Sequence, residues 1–237
     1  MGDLELAHGP AAAGGPGSRA GWRELLAAPP ERWLSGRNVT KAEVGLFRAG
    51  ETRLAVKTFA RRPVWVRLLL GRWVIRREAA AYVAAAGIDG LPRFFGRPQP
   101  CALATEWVDA VPLPERGRVG EEVFRRVAET VAALHVRGIA LGDLHHRNVL
   151  VGDDGRVVLV DLATAWLLGV RPSRLRRAVF RRLCALDELA LARMRARWTG
   201  GDVDAAVAAV GGSIARWHRR GRKLKTIWRR LRGKGRR

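Results

Sequence analysis

The feature that most constrains this chain is the run from Val149 to Val160: Val-Leu-Val, then Gly-Asp-Asp-Gly, then Arg and Val-Val-Leu-Val. Two short β-branched strands around an Asp-Gly pair predict a hairpin, because Gly adopts positive φ at no steric cost and the flanking residues suit a pleated surface. With Asp154 and Gly155 as the two central turn residues, ladder partners sum to a constant. Asn148 is then expected to face Asp161, with Cβ atoms roughly 5 Å apart. An amide oxygen and a carboxylate at that separation are hard ligands suited to Mg²⁺, which keeps waters and shares its shell with phosphate oxygens.

Residues 121 to 137 carry Val123, Phe124, Val127, Val131 and Leu134 at helical spacing, with Gly138 as the stop signal. Asp143 follows on a loop and is delivered beside Asn148. Upstream, Val39 to Phe59 reads as strand, turn and strand around Ala49-Gly50-Glu51, closing on Leu54-Ala55-Val56-Lys57. Val64 to Ala86 is helical in pattern, interrupted near Gly71 and stopped by Gly87. A strand pair is expected over Phe94 to Val108, and helices resume over 174 to 197. Lys57 is the only lysine between Lys41 and Lys223, and Glu78 the only carboxylate between Glu51 and Asp89.

The segment Gly142-Asp143-Leu144-His145-His146-Arg147-Asn148, followed by Val160-Asp161-Leu162-Ala163, resembles the catalytic and metal-binding loops of protein-kinase-like phosphotransferases. Ala55-Val56-Lys57 and Glu78 resemble the strand lysine and helix glutamate of the same family. The likeness covers roughly residues 38 to 190. It implies an α+β fold of two lobes, a small antiparallel-sheet N-lobe and a mainly helical C-lobe, working with ATP and Mg²⁺. In the implied roles Lys57 holds the α/β-phosphates and is fixed by Glu78, Asp143 orients the acceptor hydroxyl, and Asn148 and Asp161 hold Mg²⁺. Glu106-Trp107-Val108 would be the hinge that reads adenine with backbone groups, and Asp187 the helix aspartate that anchors the catalytic loop.

The chain departs from the family pattern in several places. Residues 36 to 53 offer Gly36, Gly45 and Gly50 without G-x-G-x-x-G spacing, leaving the backbone near Arg37 or Asn38 to cover phosphates. Leu141-Gly142 stands where His-Arg is usual, Leu162-Ala163 follows the metal aspartate, and no Ala-Pro-Glu follows. Control through a phosphorylated activation loop is not expected, and the peptide-binding part looks truncated.

His145, two residues after Asp143, gives an Asp-Leu-His loop that is similar to small-molecule and sugar kinases. Bacterial lipopolysaccharide core kinases of the Kdo or heptose type, also short and without a Gly-rich loop, are the favoured resemblance. An atypical serine/threonine kinase of RIO type, an aminoglycoside- or choline-type kinase, and an inactive kinase-fold scaffold are the alternatives. The formal net charge of +22 predicts a polyanionic partner. No acid follows Asp204, and the tail combines Trp217, Leu224, Ile227, Trp228 and Leu231 with arginines, as suits an anionic membrane surface; nucleic acid is the competing partner.

The expected organisation is a disordered segment 1–21, an N-lobe 22–108, a C-lobe 109–213 and a basic amphipathic tail 214–237, in a monomer. The N-terminus lacks a leader-like apolar run, and a cytoplasmic location, peripheral on the inner face of the membrane, is expected. Cys101 and Cys184 are expected as free thiols, His145 and His146 in structural or substrate-facing roles, and Trp65 and Trp73 packing the lobe in preference to entering lipid.

Overall fold

A computed structural model describes residues 16, 18–34, 41–115 and 117–210. The phosphate cover expected near Arg37 and Asn38 and the tail 214–237 lie outside the described residues. Helix α1 (Arg19–Ala27) begins inside the segment read as disordered, with the Ser18 hydroxyl accepting from Gly21 N at 3.1 Å as its N-cap. Its Trp22, Leu25 and Leu26 pack on Phe47, Leu54, Val56 and Phe95, which gives the outer face of the sheet a small core of its own.

That sheet holds β1 (Arg32–Leu34), β2 (Glu43–Ala49), β3 (Thr52–Thr58), β4 (Phe94–Gln99) and β5 (Ala102–Glu106) in the order β1-β2-β3-β5-β4, with neighbouring strands antiparallel throughout. Alternation along β3 buries Leu54 and Val56 on the α1 side and turns Lys57 to the opposite face. Between β3 and β4 the chain makes a π-helical segment, Val66–Gly71, that runs into α2 (Arg72–Ala84). Gly87 ends this region at φ +78°.

Beyond the sheet come β6 (Ala110–Pro112), α3 (Glu121–Val136), β7 (Ile139–Ala140), a single 3₁₀ turn at His146–Asn148, and the hairpin β8 (Val149–Gly152) and β9 (Val157–Leu159). Strand β10 (Trp166–Leu167), α4 (Arg174–Thr199) and α5 (Val203–Ala209) complete the lobe. Ser173 caps α4 at its start, and Gly200 at φ +83° ends it. One continuous core runs through both halves, from Phe59, Val66, Ile75 and Leu103 to Phe124, Val131, Leu159 and Trp198. The expected two-lobed α+β architecture is observed. No helix of the described residues is long and apolar enough to cross a membrane, and both cysteines are free thiols.

Two expectations are corrected. The hairpin pairs Val149 with Leu159, Leu150 with Val158 and Val151 with Val157, and Val160 N donates to Asn148 O at 2.9 Å, so Asn148 lies opposite Val160 rather than Asp161. The turn is a three-residue loop, Asp153-Asp154-Gly155, in which Gly155 N reaches Gly152 O at 3.0 Å and Asp154 Oδ1 accepts from Arg156 N at 2.9 Å. One extra loop residue moves every partner by one. Trp65 and Trp73 are 60% and 55% exposed, so they do not pack the lobe.

Gly71 sets how closely the π-helical segment lies against β3, because a Cβ there would meet Phe59 Cβ at 2.8 Å. Two effects of Gly71→Ala compete: helix propensity favours Ala by about 1 kcal/mol, while overpacking costs about 1–3 kcal/mol. Phe59 is 2% exposed and has nowhere to go, so the second effect should win. Denaturant unfolding should show a net loss of about 1 kcal/mol; a stabilised variant would mean that the helix can move away from Phe59 freely.

Candidate functional site

Three charged side chains from three elements meet between the lobes. Lys57 Nζ on β3 lies 2.8 Å from Glu78 Oε2 and 3.0 Å from Oε1 on α2, and 2.8 Å from Asp161 Oδ1 just past β9. Glu78 is 1% exposed, which sequence spacing on a helix would not have required. Asp161 has φ +68°, the one non-glycine residue at positive φ among the described residues. In an extended strand it would turn away from Asn148. The left-handed turn re-aims its carboxylate into the cleft, at a backbone cost of about 1–2 kcal/mol that a short polar side chain tolerates best.

The electrostatics of the site are those of one cation shared by two acids. Burial alone would lower the Lys57 ammonium, but Glu78 and Asp161 outweigh it and raise it above its ordinary value. Burial pushes Glu78 up; Lys57 pulls it back only in part, because Asp161 adds a second negative charge. Desolvation opposes ionisation of Asp161 as well, yet Lys57, through its charge and its hydrogen bond, holds that carboxyl below the usual range. Asp161 is therefore the acid whose ionised form the site favours, with 48% of its side chain open to solvent.

A second anchor shapes the loop that carries Asp143 and Asn148. Asp187 on α4, 1% exposed, accepts from Leu141 N at 2.8 Å and Gly142 N at 2.9 Å and pairs with His135 Nε2 of α3 at 3.0 Å. Gly142 at φ +75° then turns the chain outward. Asn148 Nδ2 donates to Asp143 O at 3.3 Å, which closes the loop on itself and leaves the amide oxygen for another partner. The Asp143 carboxylate is 61% exposed, with His145 Nε2 at 3.9 Å. A cavity of about 170 Å³ opens beside it, lined by Gly142, Asp143, Leu144, Leu186, Ala190 and Arg193.

The segment Glu106-Trp107-Val108 leaves β5 toward β6. Arg156 holds the Glu106 carboxylate through two bonds at 2.7 and 3.1 Å, and the resulting ion pair lowers the carboxyl below its usual value. Trp107 N donates to Arg53 O at 2.9 Å and its indole to Asp109 at 3.1 Å. Glu106 N donates to Arg93 O at 2.7 Å as well, so these side chains and both amides are held by protein, and what the segment has left to give a ligand is the rest of its backbone. His145 and His146 do not share a metal-like geometry: His146 packs tilted against Trp198 at 5.6 Å between ring centres, and burial, aided by Arg147, lowers its imidazole.

The residues present fit a magnesium ion carried with a polyphosphate. The available donors are an amide oxygen of Asn148 and the ionised, half-open carboxylate of Asp161, both hard oxygens. No cluster of three His, Cys, Asp or Glu side chains able to hold a metal by itself occurs among the described residues. Sequence reasoning missed His135, Thr164 and Tyr82. Thr164 Oγ1 donates to Leu141 O at 2.9 Å, and Tyr82 hydrogen-bonds the Asp161 backbone from a buried position. No pattern in the sequence marks these contacts, because all of them cross between elements far apart in the chain.

Three comparisons bear on the family. No family model matches the chain. Among curated proteins, a probable SapB synthase from Streptomyces coelicolor is 36% identical over 86 residues, covering 33% of this chain, and the chain spans 8% of that relative's length. Among solved structures, the PknI kinase domain of Mycobacterium tuberculosis superposes with a TM-score of 0.50 and 20% identity over 72% of this chain and 73% of that one. A doubly substituted form of the same domain gives 0.50 over 73% and 74%. The protein-kinase-like fold is thereby shown.

Lys57→Met should leave Glu78 buried without its cation. A buried acid whose folded pKa lies above its unfolded one contributes full stability below about pH 4.5 and loses it as pH rises toward the folded value. Relative to the parent protein, Lys57→Met should therefore be destabilised more at pH 8 than at pH 5, by about 3 kcal/mol at the upper end. Adding Glu78→Gln should flatten that difference. Parallel stability curves for the single and double variants, from urea unfolding, would show that Glu78 does not depend on Lys57.

Proposed function

We propose that this chain is an ATP-dependent phosphotransferase that moves the γ-phosphate of ATP to a hydroxyl, with a lipopolysaccharide core sugar as the favoured acceptor. The observation that carries the reading is the Lys57, Glu78 and Asp161 triad, assembled from two lobes and facing a loop that presents Asp143 and Asn148. Mg²⁺ bound with ATP would offset charge on the phosphates, held by Asn148 and Asp161. Lys57, fixed by Glu78, would grip the α/β-phosphates, and the backbone of Glu106, Trp107 and Val108 would receive adenine. Asp143 accepts or orients the hydroxyl proton as the acceptor oxygen attacks phosphorus and the bond to the β-phosphate breaks, releasing ADP. Such a loose transition state needs placement and charge more than covalent chemistry.

The acceptor reading rests on the space beside Asp143. From Leu162 the chain reaches the α4 cap at Ser173 through a short connection tied down along its length, Ala165 O by Arg77 and Leu168 N by Gly138 O. Little chain is available to form a platform for an extended peptide, and the neighbouring cavity carries Arg193, a cation suited to an anionic sugar. A cytoplasmic enzyme at the inner face of the membrane would meet that substrate. The similarity to protein kinase domains favours a second reading, transfer to a serine or threonine hydroxyl of a protein.

Asp161→Asn and Asp143→Asn should each lower transfer by about a hundredfold or more while leaving the fold intact, since both side chains are substantially exposed. Radiolabelled ATP offered with core lipopolysaccharide, a generic protein and RNA separates the readings. Label on sugar supports the favoured acceptor and label on protein the second; undiminished transfer in a folded Asp161→Asn variant removes the site assignment.

A further inference from the structure

Five large apolar side chains that face solvent lie within ten consecutive positions: Val64 at 58%, Trp65 at 60%, Leu68 at 47%, Leu69 at 74% and Trp73 at 55% exposed. They share one side of the helical stretch that precedes and begins α2, while Val66, Gly71, Ile75 and Glu78 point inward. Leaving two tryptophans and two leucines largely in water forgoes the gain of burying their apolar surface. Scattered apolar residues need no explanation, but a contiguous stripe does.

The rim of this stripe is cationic. Arg67, Arg72 and Arg76 flank it, and none of them forms an ion pair among the described residues. From Thr52 to Asp89 the only acid before Asp89 is Glu78, which is buried on Lys57. Arg97 on β4 joins the group from the next element. Its Nη2 donates to Pro100 O at 2.9 Å, while burial and then the like charges of Arg76 and Arg72 lower it, the condition of a guanidinium short of an anion. A groove of about 270 Å³ beside the stripe is lined by Arg67, Leu68, Arg72, Gln99, Pro100 and Cys101, so cations and apolar wall meet there. Trp73 has Arg77 over its ring at 4.6 Å, a pairing that keeps a tryptophan presentable at a polar boundary.

We propose that this face, residues 64–76 with Arg97, docks the protein on an anionic phospholipid bilayer, with Trp65, Leu68 and Leu69 entering the headgroup boundary and the arginines on lipid phosphates. A second copy of the chain would set like charges against like, which opposes pairing. A protein partner would need roughly 20–30 residues a side for a stable interface, far more than this one segment supplies. A bilayer asks for less: binding grows with a few inserted apolar groups and with each basic residue near the anionic surface. The surface is separate from the nucleotide cleft, and the inference stands whether or not the chain transfers phosphate.

Flotation of the full-length protein with vesicles of equal phosphatidylglycerol and phosphatidylcholine tests it, at low salt and at about 0.5 M NaCl, where screening shortens electrostatic reach to about 4 Å. The parent protein should retain binding at high salt through the inserted side chains. Trp65→Ser with Leu69→Ser should lower that binding at least about tenfold, and Arg72→Glu with Arg76→Glu should weaken it at low salt, with melting temperatures unchanged because all four side chains are exposed. Hydrogen exchange should show new protection at 64–76 on vesicle addition. Salt-resistant binding unchanged in Trp65→Ser with Leu69→Ser, or protection of this face by RNA or by self-association instead of vesicles, would overturn the proposal.

Discussion

The sharing of Lys57 between Glu78 and Asp161 is the interaction on which the rest of the cleft depends. It is the charged link that joins the sheet, α2 and the far lobe, and hydrogen bonds to backbone repeat its message. Tyr82 on α2 bonds the Asp161 backbone, the Leu162 amide supports Glu78, and Arg77 reaches Ala165 O at 3.1 Å. Each ties α2 to the strand end that carries Asp161. Ion pairs this buried add little net stability, because desolvation offsets most of the attraction. Their use here is positional: moving α2 outward would leave Glu78 buried without a partner, so the helix has one favourable seat.

Asp187 plays the matching part on the other side. Two backbone amides and an imidazole converge on its carboxylate, so the loop reaches Asp143 from a fixed origin rather than from a free strand end. The result is asymmetric. Loop backbone is pinned from below, whereas the side chains of Asp143 and Asp161 keep about half or more of their surface open. Held backbone and open carboxylates are what a site needs if its ligands arrive as polyphosphate and sugar or protein hydroxyl.

Much of this was legible in the sequence because the decisive residues are locally isolated. Lys57 and Glu78 have no competitors of their own type for many positions on either side, so once the family resemblance called for a lysine and glutamate pair the sequence left a single choice. The hairpin was legible as an element but not in register, since Asp153-Asp154-Gly155 supports both a two-residue and a three-residue loop and only the backbone bonds decide. Asp161 still reaches the cleft because its left-handed turn compensates for the slip. Trp65 and Trp73 misled for a different reason: a dense apolar run reads as core, and which side of the helix meets the sheet is fixed by Gly71 against Phe59.

The contact of Gly71 with Phe59 also couples the cleft to the outer face. Gly71 brings the π-helical segment so close to β3 that Val66 and Ile75 are wholly buried, and this commits the opposite side, with Trp65, Leu69 and Trp73, to solvent. A π-helical turn adds a residue and rotates the helix beyond it, so the stripe of apolar residues gives way to Arg72 and Arg76 along the same side just as Glu78 comes round to Lys57. The outward stripe and the inward glutamate therefore belong to one rigid stretch of chain. Anything that covers residues 64–76 bears on the helix whose seat defines the cleft, and the short, tied connection after Asp161 leaves α2 as the element best placed to carry such an influence.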